Sequence, residues 1–139
     1  MSLVTGKEGL PVKALYTLTA VTEVVTGSAL LWRPSAIVAL LLGAPLDTPA
    51  AVTLGRVAGV ALFALGIACW LARTDARSRA ARGLVTAMAL YDAGVVVILS
   101  AAGMRSRLVG VAFWPAVVLH TALGAWCVER LRRKAVQDH

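Results

Sequence analysis

Apolar residues run through this chain in four long stretches, at about residues 14–32, 51–72, 84–102 and 108–128. Each approaches the roughly 20 residues that a helix needs to cross the hydrocarbon of a bilayer. The pattern therefore predicts four membrane-spanning helices, and their short connections favour antiparallel neighbours. The predicted fold is all-α: a transmembrane up-down-up-down four-helix bundle, one domain over residues 1–139. The first stretch is expected to stay in the mature chain, because Glu23 interrupts it and no clean small-residue cleavage site follows.

The connections differ from one another. Arg33-Pro34-Ser35 closes the first stretch, and Ala36–Leu42 is a second apolar run too short to cross a bilayer. It is expected as a short interfacial segment between helices 1 and 2, a connector rather than a lid over a cavity. Asp47-Thr48-Pro49 reads as a helix start, with a capping side chain ahead of a first-turn proline. Arg73–Arg82 is a basic link, Gly103–Arg107 a tight turn, and residues 135–139 a flexible tail.

Composition sharpens the membrane reading. The chain is 59% hydrophobic with a mean hydropathy of +0.79, against about 45–50% apolar in soluble domains. The net charge of +7 comes from basic residues at the ends of the stretches. Lys7, Lys13, Arg73, Arg77, Arg79, Arg82, Arg130, Arg132, Arg133 and Lys134 fall on one side, against Arg33, Arg105 and Arg107 on the other. By the positive-inside rule both termini are cytoplasmic, and the basic clusters are expected to meet membrane lipids. No nucleic-acid partner is expected, for no basic face carries interleaved aromatics. Trp32 and Trp114 fall toward the outer interface, Trp70 and Trp126 toward the inner, as an anchoring belt would. Cys69 and Cys127 are expected as reduced packing residues.

Against this background four ionisable groups stand out, one in each stretch: Glu23, Arg56, Asp92 and His120. A charge at bilayer depth costs roughly 2.5–3.5 kcal/mol on insertion scales, so the four are expected to face one another inside the bundle. Glu23, Asp92 and His120 fall at one depth, close to the midplane. Arg56 lies nearer the outer side, with a side chain long enough to reach the same level. Glu23 would then pair with Arg56, or act unpaired as a proton-binding or acid–base group. Asp92, which follows Tyr91, has the same two readings with His120 as partner: a proton relay or an inert hydrogen bond. Thr19, Thr22, Glu23, Thr26 and Gly27 share a polar stripe on the first helix. Gly55 and Gly59 permit close helix approach, and weakly suggest a homo-oligomer. Pro115, five residues before His120, is expected to kink the fourth helix.

Other chemistry is excluded. His120 and His139 are the only histidines, so one chain cannot supply bis-histidine haem ligation, and no cofactor is implied. Neither a metal-ligand spacing nor a P-loop, Rossmann glycine pattern or hydrolase motif is present. Ala64-Leu65-Gly66-Ile67-Ala68-Cys69 echoes Ala122-Leu123-Gly124-Ala125-Trp126-Cys127. The echo would fit two-helix repeats about an axis along the membrane normal.

Leu54-Gly55-Arg56-Val57-Ala58-Gly59, then Ala64-Leu65-Gly66, and a histidine in the fourth span make the plan resemble small bacterial four-helix membrane proteins of unknown function, the DoxX-like group. The Ala-, Val- and Arg-rich composition is similar to that of a high-GC bacterium. The resemblance implies a multi-pass protein of the bacterial inner (cytoplasmic) membrane and no particular activity. The residues favour binding of a small lipophilic ligand or a membrane partner at the polar centre. Two further readings are a membrane isomerase or cyclase, and a proton-coupled transporter subunit that works as an oligomer.

Overall fold

The computed structural model describes residues 12–75 and 78–137, and their regular structure is helical throughout. Five helices follow in order: α1 (Val12–Trp32), α2 (Pro34–Leu42), α3 (Pro49–Ala72), α4 (Arg79–Ser106) and α5 (Phe113–Gln137). Lys7, Arg77 and His139, all considered above, lie outside the described residues.

Helix boundaries follow local chemistry. Thr48 caps α3 by accepting from the Ala51 N–H at 3.2 Å, and Pro49 takes the first helical position as expected. Ser78 caps α4 in the same way through Ala81 N–H at 3.0 Å. Gly43 ends α2 in the left-handed region at φ 78°, where a side chain would be strained.

α1, α3 and α4 are long and apolar enough to cross a membrane by length and composition. At about 1.5 Å per residue, the 24 residues of α3 rise about 36 Å, more than the hydrocarbon thickness. Large apolar side chains cover the outside of these helices: Leu54, Val57, Leu90, Val97 and Ile98 are all more than half exposed. A water-soluble chain does not leave so much continuous apolar surface uncovered.

α5 departs from the four-stretch pattern. The fourth stretch was expected from residue 108, yet the helix starts only at Phe113. Residues 108–112 pair instead with the end of α2: Gly110 donates to the Leu41 carbonyl at 3.0 Å and Ala112 to Leu40 at 2.9 Å. These bonds satisfy carbonyls that a helix end leaves orphaned. A Cβ at position 110 would collide with the Leu40 carbonyl, so glycine is required there. The apolar part of α5, Phe113–Val128, therefore rises only about 24 Å.

Three smaller expectations change with it. Gly103 lies inside α4 under the Phe113 ring, so the turn expected at 103–107 falls instead at 107–112. Pro115 sits in the first turn of α5, where no backbone donor is needed, and the anticipated kink has no cause. At the other end, α5 continues helical to Gln137, into the stretch expected to be irregular.

Packing divides the helices into two close pairs, α1 with α3 and α4 with α5. Gly27 meets Gly59 and Phe63, while Ala20 meets Gly66, so α1 and α3 run antiparallel. Gly124 meets Asp92 and Phe113 meets Gly103, so α4 and α5 do likewise. Side chains join the pairs: Leu15 and Tyr16, Cys69, Val85 and Met88, Leu123 and Cys127 form one buried cluster. Within it the Tyr16 hydroxyl donates to the Ala81 carbonyl at 2.7 Å, and the Cys69 thiol to the Met88 sulfur at 3.3 Å.

Candidate functional site

Just beyond that cluster the helices bring polar groups together. Tyr16, Thr19, Glu23, Gly27 and Leu30 recur at three- and four-residue steps and, with Ala20 beside Thr19, lie on the buried face of α1. Glu23 sits in the middle of this face, 1% exposed. On α4 the buried face runs Ala81, Val85, Met88, Asp92 and Leu99, which carries Asp92 inward at 2% exposure. α5 brings His120 beside it.

Asp92 and His120 are joined directly, with His120 Nδ1 and Asp92 Oδ1 2.7 Å apart. With Asp92 ionised, His120 donates from Nδ1, which leaves Nε2 as its remaining polar atom. Tyr91 closes the arrangement. Its ring meets His120 edge to face at 5.6 Å between centroids, and its hydroxyl lies near the Glu23 carboxyl. Glu23 also lies close enough to His120 and Asp92 to feel their charges. The order across the interior is thus Glu23, Tyr91, His120, Asp92.

Three buried oxygens in this region lack a hydrogen-bond partner: Thr19 Oγ1, Glu23 Oε1 and Asp92 Oδ2. A buried, unsatisfied acceptor costs about 1–3 kcal/mol, more when it is charged. Native interiors keep few such atoms.

Of the residues singled out from sequence, Glu23, Tyr91, Asp92 and His120 come together, with Thr19 one turn from Glu23 on the same face. Thr26 lies a turn further along α1, only half-buried at its flank. Arg56 does not join them. It is exposed on the outside of α3, and the expected Glu23–Arg56 pair gives way to Glu23–Tyr91. The reason is angular. Gly55 and Gly59 face inward, and Arg56 stands one residue on, about 100° round the helix from Gly55.

The same glycines are occupied inside the chain. A Cβ at Gly59 would meet the Gly27 carbonyl at 2.9 Å, and one at Gly55 would meet Leu46 and Pro34 at 3.0 Å. A second copy would find Gly59 already covered by α1.

Sequence reasoning missed the small residues around Asp92. A groove of 390 Å³ opens on the outside of the α4–α5 pair, with Ala89, Ala93, Val97, Thr121 and Ala125 along it and Asp92 and His120 at its floor. Gly124 makes room for the acid, since a Cβ there would lie 3.1 Å from Asp92 Cβ. The sequence signal was the echo noted above: Gly66 packs on α1 beside Glu23 as Gly124 packs on α4 beside Asp92. Among the described residues no group of three or more His, Cys, Asp or Glu side chains is placed to hold a metal ion.

No protein-family model, no curated protein and no solved structure matches this chain.

Proposed function

We propose that the chain is a four-span protein of the bacterial inner membrane that binds a small lipophilic ligand at Glu23, Tyr91, Asp92 and His120. The ligand enters sideways from lipid through the α4–α5 groove. One observation carries this reading: the groove opens on the apolar outside of the helix pair and its floor is the Asp92–His120 pair. Ligand sites in helical bundles are built from facing interior side chains in just this position.

The membrane arrangement belongs to the same proposal. α5 lies antiparallel to α4 and serves as the fourth span in an up-down-up-down bundle, its short apolar part completed at the outer side by α2 and residues 108–112. The basic clusters then place both termini in the cytoplasm. The likeness to the DoxX-like plan rests on the motifs quoted above.

A photoactivatable long-chain diazirine probe in native membranes tests the site. Labelling should concentrate at Ala93, Thr121 and Ala125 and fall sharply in an Ala125→Trp variant, which fills the groove from an exposed position. Uniform labelling of every exposed apolar helix face, unchanged by that variant, would sink the proposal.

A second reading has its own support in the Asp92–His120 contact. A carboxylate that holds an imidazole through Nδ1 leaves Nε2 as a base, the arrangement an isomerase or cyclase needs for proton transfer. Its mark would be chemical change of the bound ligand, lost in His120→Gln while probe labelling persists.

A further inference from the structure

We infer that the ligand taken by this site is an amphiphile with a primary ammonium head and a slender apolar chain. The inference rests on the lipophilic-ligand reading above and narrows it to one chemical class.

Charge is the first argument. Among the described residues, the buried polar and charged side chains are Thr19, Glu23 and Asp92. Two carboxyl groups therefore face one imidazole, and even a protonated His120 balances only one of them. The guanidinium expected to balance the other, that of Arg56, is outside. An uncompensated carboxylate in a low-dielectric interior is too costly to persist: it either takes up a proton or is accompanied by a positive species, and a cationic ligand supplies the second.

Hydrogen bonding is the second argument and is independent of charge. Glu23 Oε1 and Asp92 Oδ2 are buried acceptors without donors, and the buried Thr19 hydroxyl is likewise without a partner. A primary ammonium carries one positive charge and three N–H donors. An alcohol head offers one donor and no charge, and a quaternary ammonium offers charge and no donor. Of these three heads, the primary amine alone meets both deficits.

The groove supplies the third argument. Its walls beside Asp92 are Ala89, Ala93, Val97 and Ala125, small or apolar side chains that suit an alkyl chain lying along the helix pair. The head group enters where the groove ends on Asp92 and His120.

The test compares dodecylamine, dodecanol and dodecyltrimethylammonium at equal mole fractions in lipid nanodiscs holding the full chain. The readout is the concentration of each that raises the thermal unfolding midpoint by a set amount. Dodecylamine should act at least tenfold below the other two, and this preference should vanish in Glu23→Gln and in Asp92→Asn. Ala125→Trp should abolish the response to all three. If alcohol and amine act equally on the wild type and Ala125→Trp removes both responses, the ammonium inference falls while the groove reading stands. If the amine response survives Ala125→Trp unchanged, both fall. The head-group ratio is measured on the wild-type chain, so it decides the matter even where a carboxyl variant fails to fold.

Discussion

The two helix pairs solve the same packing problem with different materials. α1 and α3 touch backbone to backbone. A Cβ at Gly27 would lie 2.6 Å from the Phe63 nitrogen, and one at Gly66 would lie 2.9 Å from the Ala20 carbonyl. Small residues of this kind let helices approach where lipid gives them no hydrophobic reason to associate. α4 and α5 also meet at a glycine, but there Gly124 accommodates the Asp92 side chain, and a hydrogen bond between Asp92 and His120 links the helices. The first pair is closed and its groove, between Val21, Val24, Ile67 and Trp70, is wholly apolar. The second pair is the more open of the two, packed less closely, with a polar contact at the floor of its groove. Close packing thus marks the scaffold, and a polar contact beside a groove marks the place where chemistry can happen.

The largest effect is expected from breaking the closed pair. Gly27→Leu puts a branched side chain where even a methyl group meets backbone on α3, and backbone cannot swing aside as a side chain can. Overpacking of this kind costs about 1–3 kcal/mol and more where nothing yields. We expect the folded fraction in detergent to collapse, while Gly83→Leu, with open space at its Cβ position, leaves it unchanged. Equal expression and equal unfolding midpoints for the two variants would contradict the backbone contact.

The open pair should respond less in stability and more in binding. Asp92→Ala removes the partner of His120 Nδ1 and leaves the imidazole part-buried without it. The cost of a stranded polar group is about 1–3 kcal/mol, set against the relief of the unpartnered Oδ2. A net loss of about 1 kcal/mol is the expected outcome of denaturant titration, together with loss of probe labelling in the groove. An Asp92→Ala protein that still takes up the probe at Ala93 and Thr121 would separate the acid from the site.

Next in size is the link between the pairs. Tyr16→Phe keeps the buried ring and deletes the hydroxyl that donates to Ala81 at 2.7 Å. Hydrogen bonds between membrane helices average about 0.6 kcal/mol, and a loss of that size is expected. The Ala81 amide is capped independently by Ser78, so hydrogen exchange should rise at the start of α4 without loss of the helix. If exchange is unaltered there, the hydroxyl does not join the pairs.

Much of this division could be read in the residues. The three- and four-residue recurrence of Thr19, Glu23 and Gly27 gave the buried face of α1, and equal depth put Glu23, Asp92 and His120 together. Hydropathy alone misplaced the start of α5, because Leu108–Ala112 is apolar for a different reason: it pairs with the end of α2. A run of apolar residues records what avoids water and does not distinguish a helix from a loop seated in the interface. The groove was illegible because Ala93, Thr121 and Ala125 carry no chemistry of their own. Only the pairing of α4 with α5 gives them a common wall.

The smallest expected effect tests the correction that separates the two pairs most clearly. Arg56 seemed from sequence to be the natural counter-charge for Glu23, and removal of one partner from a buried ion pair costs about 3–5 kcal/mol. In the structure the guanidinium is on the outside of α3, near the helix start, where a long side chain can extend to the headgroup level. Arg56→Gln should then change the unfolding free energy by no more than about 0.5 kcal/mol, the range of surface substitutions. Probe labelling in the α4–α5 groove should stay at the wild-type level. A loss of several kcal/mol would mean that Arg56 reaches Glu23 after all. In that event the interior would be neutralised by the chain itself, α3 would contribute to the polar centre, and the charge argument for an ammonium ligand would disappear.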